Sequence, residues 1–269
     1  LGQIYKEEDE GQFRGGPAYY IEKAMGQKWY AWIFAISTIF AVGLLLPTVQ
    51  SNAIGNAADL AFGGSGVLET SLGSVTYTKL ITAVCVVFLL GFIIFGGVKR
   101  IAHFTQVVVP FMAVGYVLLA IVVILMHISA LPGILMLIVT DAFTPMAGVG
   151  AAIGWGVKRG VYSNEAGQGT GPHAAAASEV EHPAQQGLVQ AFSVYVDTLF
   201  VCSATAFMIL ITNQYYVTGV EATESGGMLT NDVLANSPAF TQYALESVVG
   251  GFGKTFVAFA LFFFAFTTI

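Results

Sequence analysis

The residues best suited to chemistry stand together in one segment, Ser163–Pro172. It interleaves three glycines and a proline with hydroxyl, amide and carboxylate side chains. Glycine and proline interrupt helices, and in transporters such breaks free carbonyls for Na⁺ and aim half-helix N-termini at a substrate carboxylate. Another interpretation stays open, since Gly167 and Gly171 fit a close-packing pattern for membrane helices. Glu165 is costly at membrane depth, so it is expected to pair with Arg159 or Lys158 one to two turns earlier.

Other polar side chains lie inside apolar stretches. Gln50 either lines a cavity or makes an interhelical hydrogen bond. Asp197 is the only charged residue in its stretch, which favours a proton acceptor or cation ligand, or else a structural hydrogen bond. Thr267 and Thr268 are adjacent hydroxyls that either bond to their own helix or ligate a cation.

The composition places most of the chain in lipid. Of 269 residues, 56% are apolar and 10% are charged, and the mean hydropathy is +0.75. Soluble chains carry about 25% charged residues. A net charge of −6 with this hydrophobicity excludes disorder and nucleic-acid binding. The expected surroundings are a lipid bilayer, with no nucleic acid as partner.

Six segments are expected to cross the membrane, because about 20 apolar residues span its hydrocarbon core. They lie at about 29–60, 78–98, 104–127, 147–178, 186–212 and 249–269. The fourth would be broken near 163–169, since non-helical backbone survives at membrane depth only against protein or water. A further apolar piece, 128–140, is too short to cross. Both chain ends predict an interior piece of a longer protein, truncated at each end.

The basic residues predict the orientation. If 1–28 is cytoplasmic, the loops at 99–103 and 179–185 are too, and six of the ten Lys and Arg residues then lie inside. The long loop 213–247 faces the other side and carries no basic residue.

Three motifs carry a resemblance. They are GGPAYYI at 15–21, GVKRG at 156–160 followed by SNEAG at 163–167, and FAFTTI at 264–269. Together they resemble the sodium:alanine symporter family, also called alanine or glycine:cation symporters, within the amino acid–polyamine–cation superfamily. The resemblance covers essentially the whole chain. It implies an all-α membrane protein with a leucine-transporter-like inverted-repeat fold, represented here by its third to eighth helices, the sixth being discontinuous.

The resemblance also implies roles for individual residues. Gln50 matches a substrate-contacting glutamine, and the segment from Ser163 to Gly167 matches the unwound backbone that holds the amino acid, with Asn164 inside it. Thr267 and Thr268 match a sodium-binding hydroxyl pair. Two further sets complete the candidates: Trp155, which lines the extracellular approach or belongs to an interfacial aromatic belt, and the ion-pair or coupling residues Arg159, Glu165 and Asp197.

The function that the resemblance implies is Na⁺-coupled symport of a small neutral amino acid, alanine or glycine, into the cell by alternating access. The protein would lie in the inner (plasma) membrane as a multi-pass protein. Its coupling ion would be Na⁺, and it would need no cofactor or other metal. Proton coupling is the main alternative. A channel would need a continuous polar stripe along several spans. An enzyme would need a nucleophile and base in one cavity, and nothing in the sequence brings Asp197 and His173 together.

Overall fold

A computed structural model describes residues 1–9, 11–63, 66–70, 73–144, 154–157, 160, 169–216, 227, 229 and 239–268. This part of the chain is mostly helical and contains several long apolar helices, as expected for an all-α membrane protein. The helices are α1 (Pro17–Met25), α2 (Lys28–Phe40), α3 (Leu46–Phe62), α4 (Tyr77–Ile94), α5 (Gly97–Met126), α6 (Leu131–Ala142), α7 (Gly171–Ala177), α8 (Pro183–Tyr195), α9 (Ser203–Ile211), α10 (Ala239–Val249) and α11 (Gly251–Phe266).

Two stretches of π-helix lengthen the apolar helices. Ala41–Leu45 joins α2 to α3, and Val196–Cys202 joins α8 to α9. The first has a local cause, because Pro47 has no N–H to donate to the carbonyl four residues earlier. Within the described residues, four continuous helical runs are long and apolar enough to cross a membrane: Lys28–Phe62, Tyr77–Ile94, Arg100–Met126 and Pro183–Ile211. Ile128–Ala142 and Gly251–Phe266 are shorter apolar helices.

Two small antiparallel hairpins were not predicted from the sequence. One pairs β1 (Glu7–Asp9) with β2 (Gln12–Arg14), and the other pairs β3 (Val67–Thr70) with β4 (Gly73–Thr76). Thr76 then caps α4, its hydroxyl accepting from the backbone N–H of Lys79. The described part of the chain is therefore helical, with two short hairpins outside the apolar helices.

The chain divides into two compact units. The first contains Leu1–Leu45 and Leu135–Phe200, and the second contains Leu46–Ile134 and Val201–Ile269. Within the first, α1 packs on α2, and β2 contacts α7. Within the second, α11 packs against α3, α10 and α5, and two apolar clusters form its core. One is centred on Met208 and Leu245, and the other on Ile54 and Phe266.

Candidate functional site

Helices α3 and α11 run antiparallel in the second unit. Ile54 belongs to the same buried cluster as Ala265 and Phe266, whereas Phe62, two turns later, meets the edge of Phe259 with ring centroids 6.1 Å apart. Positions rise along one helix as they fall along the other. This contact forms because α3 carries small and branched apolar residues at helical spacing, which bury one face.

Gln50 lies one turn before Ile54 and is half-buried. The antiparallel pairing therefore sets Gln50 level with the end of α11 that carries Thr267 and Thr268. Two sets of residues that sequence reasoning singled out separately, 217 positions apart, thus belong to the same end of one helix pair.

The two threonine hydroxyls bond to a single acceptor. Thr267 Oγ1 donates to the carbonyl of Phe264 at 2.9 Å, and Thr268 Oγ1 donates to the same carbonyl at 3.0 Å. A hydroxyl that donates its proton keeps two lone pairs for other partners. Bonding to the helix is therefore compatible with cation ligation, and it fixes the direction of both oxygens. Thr267 is half-buried and Thr268 is exposed.

Phe264 packs against Tyr116, whose hydroxyl makes a hydrogen bond that was not predicted from the sequence. Its ring meets the ring of Tyr116 edge-on, with centroids 6.1 Å apart, and the Tyr116 and Thr205 hydroxyls lie 2.7 Å apart. Thr205 Oγ1 also donates to the carbonyl of Val201 at 3.1 Å. A cavity of about 190 Å³ adjoins this pair. A lone Tyr and a lone Thr in two apolar runs carry no local signal that they meet.

Gln242 fastens α10 to both neighbouring helices and was also missed. Its side chain is fully buried, and Nε2 donates to the carbonyl of Ala57 on α3 at 3.0 Å and to that of Lys254 on α11 at 3.2 Å. Its Oε1 has no hydrogen-bond partner among the described residues. Lys254 in turn pairs with Glu246 at 2.7 Å. These contacts hold the α3–α11 pair from one side.

The remaining described candidates belong to the first unit or its boundary. Asp197 lies in the π-helical stretch and is half-buried among exposed neighbours. Such stretches are frequent at functional sites because they turn one side chain out of helical register. Trp155 lies in the short helical piece 154–157 and is 56% exposed.

Of the segment 163–169, where the helix break is expected, the structure describes Gly169. Gly169 has φ of +77°, a conformation that suits glycine, and a Cβ there would approach the Phe34 ring to 3.2 Å. Helix α7 then begins at Gly171. The other five candidates lie outside the described residues and stay predictions: Arg159, Ser163, Asn164, Glu165 and Gly167.

Comparison with known proteins decides the family. The family model described as the sodium:alanine symporter family matches residues 1–269, which is the whole chain. The chain belongs to the sodium:alanine symporter family. This is a transporter family, and the described apolar helices suit a membrane protein.

Several relatives of this chain are named as alanine carriers or amino acid symporters. A putative sodium/proton-dependent alanine carrier protein of Bacillus subtilis (strain 168) is 54% identical across all of this chain. A sodium/proton-dependent alanine carrier protein of Bacillus sp. (strain PS3) is 46% identical over 86% of it. A probable sodium/glutamine symporter of Bacillus subtilis (strain 168) is 39% identical across all of it.

The chain spans about half the length of these curated relatives, covering 53%, 50% and 51% of them. The family assignment therefore applies to the chain. The transport activity of the relatives' full length is not assigned to this chain by the comparison, and it stays a proposal.

Proposed function

We propose that this chain is part of a secondary active transporter that carries a small neutral amino acid, alanine or glycine, into the cell together with Na⁺. The observation that carries the proposal is 54% identity across all of the chain to a protein named as a sodium/proton-dependent alanine carrier. In this proposal the protein is not an enzyme, its other partner is the lipid bilayer of the plasma membrane, and Na⁺ is the coupling ion with no further cofactor.

The proposed sodium ligands are Thr267 and Thr268, with Gln50 contacting the substrate nearby. Support comes from the shared acceptor at Phe264, which points both hydroxyls from the same turn of α11. Na⁺ is a hard cation that takes oxygen ligands, and hydroxyl oxygens supply them without a net charge. A neutral site suits an ion that must leave again on the cytoplasmic side.

The rest of the proposed substrate site is the helix break, Ser163, Asn164 and Gly167, approached past Trp155. The fold proposed around it is the leucine-transporter-like inverted repeat, with these spans as its third to eighth helices. Symport then follows from differential binding: Na⁺ must favour the substrate-competent state, since a ligand with equal affinity for both states shifts neither.

Proton coupling is the second candidate, and two observations favour it. Two relatives are named sodium/proton-dependent, and Asp197 is a carboxylate in a π-helical stretch of an apolar helix. In this version Asp197 carries the coupling proton, and Arg159 and Glu165 form an ion pair beside the break.

Uptake into proteoliposomes separates the two. The protein, expressed from its complete open reading frame, is reconstituted and supplied with labelled alanine or glycine under an inward Na⁺ gradient at equal pH, or under a pH gradient without Na⁺. Sodium coupling predicts accumulation in the first condition alone. Accumulation driven by the pH gradient alone would overturn the sodium proposal in favour of Asp197, and accumulation in neither would overturn symport.

A further inference from the structure

The residues that precede α1 make hydrogen bonds to the C-terminal end of α7. This contact plays no part in the site proposed above. We call residues 1–9 and 11–16 the leading segment. The Gln3 side-chain amide donates to the carbonyl oxygens of Ala175 and Ser178, the second at 2.7 Å. Lys6 Nζ donates to the same Ser178 carbonyl at 3.0 Å. The last four carbonyls of a helix have no partner within it, and a cation there is favoured by the helix dipole.

Close backbone contact accompanies these bonds. A Cβ on Gly15 would lie 2.6 Å from the Cβ of Ala176, and a Cβ on Gly16 would lie 2.7 Å from Nε2 of His173. Ala176 is fully buried. Only glycine allows the segment to approach α7 this closely, so the contact is specific in position.

The leading segment is itself anchored to α1. Lys23 Nζ donates to the carbonyl of Tyr5 at 3.2 Å and pairs with Glu7 at 2.8 Å. Within the segment, Lys6 Nζ lies 3.7 Å above the Phe13 ring. The segment therefore connects α1 to the end of α7 as one hydrogen-bonded strap.

We propose that the leading segment is a latch on α7, and that it must detach from α7 for transport to proceed. The inference rests on the proposed transport function, because α7 directly follows the segment 163–169, where a helix break that holds the substrate is proposed. A helix that follows a substrate-binding break must move when the site opens to its own side. A latch made of side-chain bonds to carbonyls suits such a step, since water replaces each bond at small net cost.

A reversible disulfide tests the latch. The paired variant Gly15→Cys/Ala176→Cys is made in a Cys85→Ala/Cys202→Ala background and reconstituted from the complete open reading frame. A small outward shift of the segment gives the separation of about 3.8 Å between Cβ atoms that a disulfide needs. Uptake of labelled alanine is measured after oxidation and again after reduction, and alanine binding is measured in detergent.

The latch predicts that oxidation stops uptake, that reduction restores it, and that Na⁺-dependent alanine binding survives in the oxidised protein. Uptake that continues unchanged with the disulfide formed would overturn the latch. Loss of Na⁺-driven uptake in the background protein as well would instead overturn the proposed function, so the two failures are distinct. The matched control is Asp9→Cys/Gln12→Cys, a cross-strand pair in the hairpin, which closes a disulfide without tethering α7.

A second measurement covers the case in which the paired variant does not fold. The variant Ala176→Cys, made in the same Cys85→Ala/Cys202→Ala background because both native thiols are exposed, is labelled with a maleimide, since this buried position becomes reactive only when the latch opens. Gln3→Ala is expected to raise the labelling rate by about two- to tenfold, as loss of one or two such hydrogen bonds would, whereas Glu8→Ala, at an exposed position of β1, leaves it unchanged. A labelling rate insensitive to Gln3→Ala would overturn the latch.

Discussion

Two helix contacts hold the elements that matter most, and they are built differently. The α3–α11 contact buries Ile54, Ala265 and Phe266 to 4% exposure or less, and its polar anchor, Gln242, is fully buried as well. The contact of the leading segment with α7 depends on Gln3 and Lys6, which are half-buried. Apolar packing is lost all at once when helices part, whereas hydrogen bonds at a surface exchange with water. The first contact is therefore a fixed frame for Thr267 and Thr268, and the second is suited to release.

The largest effect is expected from truncating the buried anchor of the frame. Gln242→Ala removes two hydrogen bonds and leaves a cavity, and should lower the free energy of unfolding by about 2–3 kcal/mol. Thermal unfolding in detergent measures this as a lower Tm. Gln12→Ala, on the exposed hairpin, is the matched control and should leave Tm unchanged. A wild-type Tm for Gln242→Ala would show that the frame does not depend on this anchor.

The next effect tests how closely α10 and α11 are packed. In Gly253→Ala the new Cβ would lie 2.5 Å from the carbonyl carbon of Leu245, which is backbone and cannot move aside alone. Overpacking of this kind costs about 1–2 kcal/mol, and the Tm should fall by several degrees. Gly251→Ala is the control, since a Cβ there meets nothing within 4 Å. Equal Tm values for the two variants would contradict a rigid α10–α11 contact.

A smaller effect is expected at the hydroxyl pair. Thr268→Val keeps the shape of the side chain and removes one proposed Na⁺ ligand, so the Na⁺ concentration for half-maximal uptake should rise about fivefold while the Tm stays unchanged. Thr255→Val removes another hydroxyl of α11 that bonds to its own helix, to the carbonyl of Gly251, and should not alter the Na⁺ dependence. Equal changes in both variants would mean that the hydroxyls act through the helix and not through the ion.

The smallest effect concerns the hairpin of the leading segment. Asp9 and Arg14 pair at 2.7 Å with side chains 53% and 54% exposed, and surface pairs of this kind contribute about 0–1 kcal/mol. Asp9→Asn should therefore leave the labelling rate of Ala176→Cys unchanged. A clear rise in the labelling rate would show that the hairpin, and not Gln3 and Lys6, holds the leading segment against α7.

The sequence predicts the helices better than it predicts their contacts. Long apolar runs must form hydrogen-bonded helices in lipid, and α4 and α5 occupy most of the segments predicted at 78–98 and 104–127. The loop expected at 99–103 is wrong, because α5 begins at Gly97 and is helical through these residues. Pro47 likewise gives a local reason for the first π-helical stretch. The hairpins were missed because three or four residues of alternating character do not distinguish a strand from a loop.

The candidate site was predictable only where its residue types are unusual for their surroundings. Gln50, Asp197 and the threonine pair stand out because each is polar within an apolar run. Gln3 does not, because its partners at Ala175 and Ser178 are backbone carbonyls more than 170 residues away. A polar residue in a polar segment carries no sign of which carbonyl it will meet.

Charge movement across the membrane reports directly on coupled transport of a neutral amino acid with Na⁺. A zwitterion that travels with a cation carries net positive charge, so adding alanine to proteoliposomes adsorbed on a sensor membrane should produce an inward current. Coupled transport predicts that this current depends on Na⁺, disappears when K⁺ replaces it, and needs more Na⁺ in Thr268→Val. A current of the same size in K⁺ that grows as the pH is lowered would contradict it.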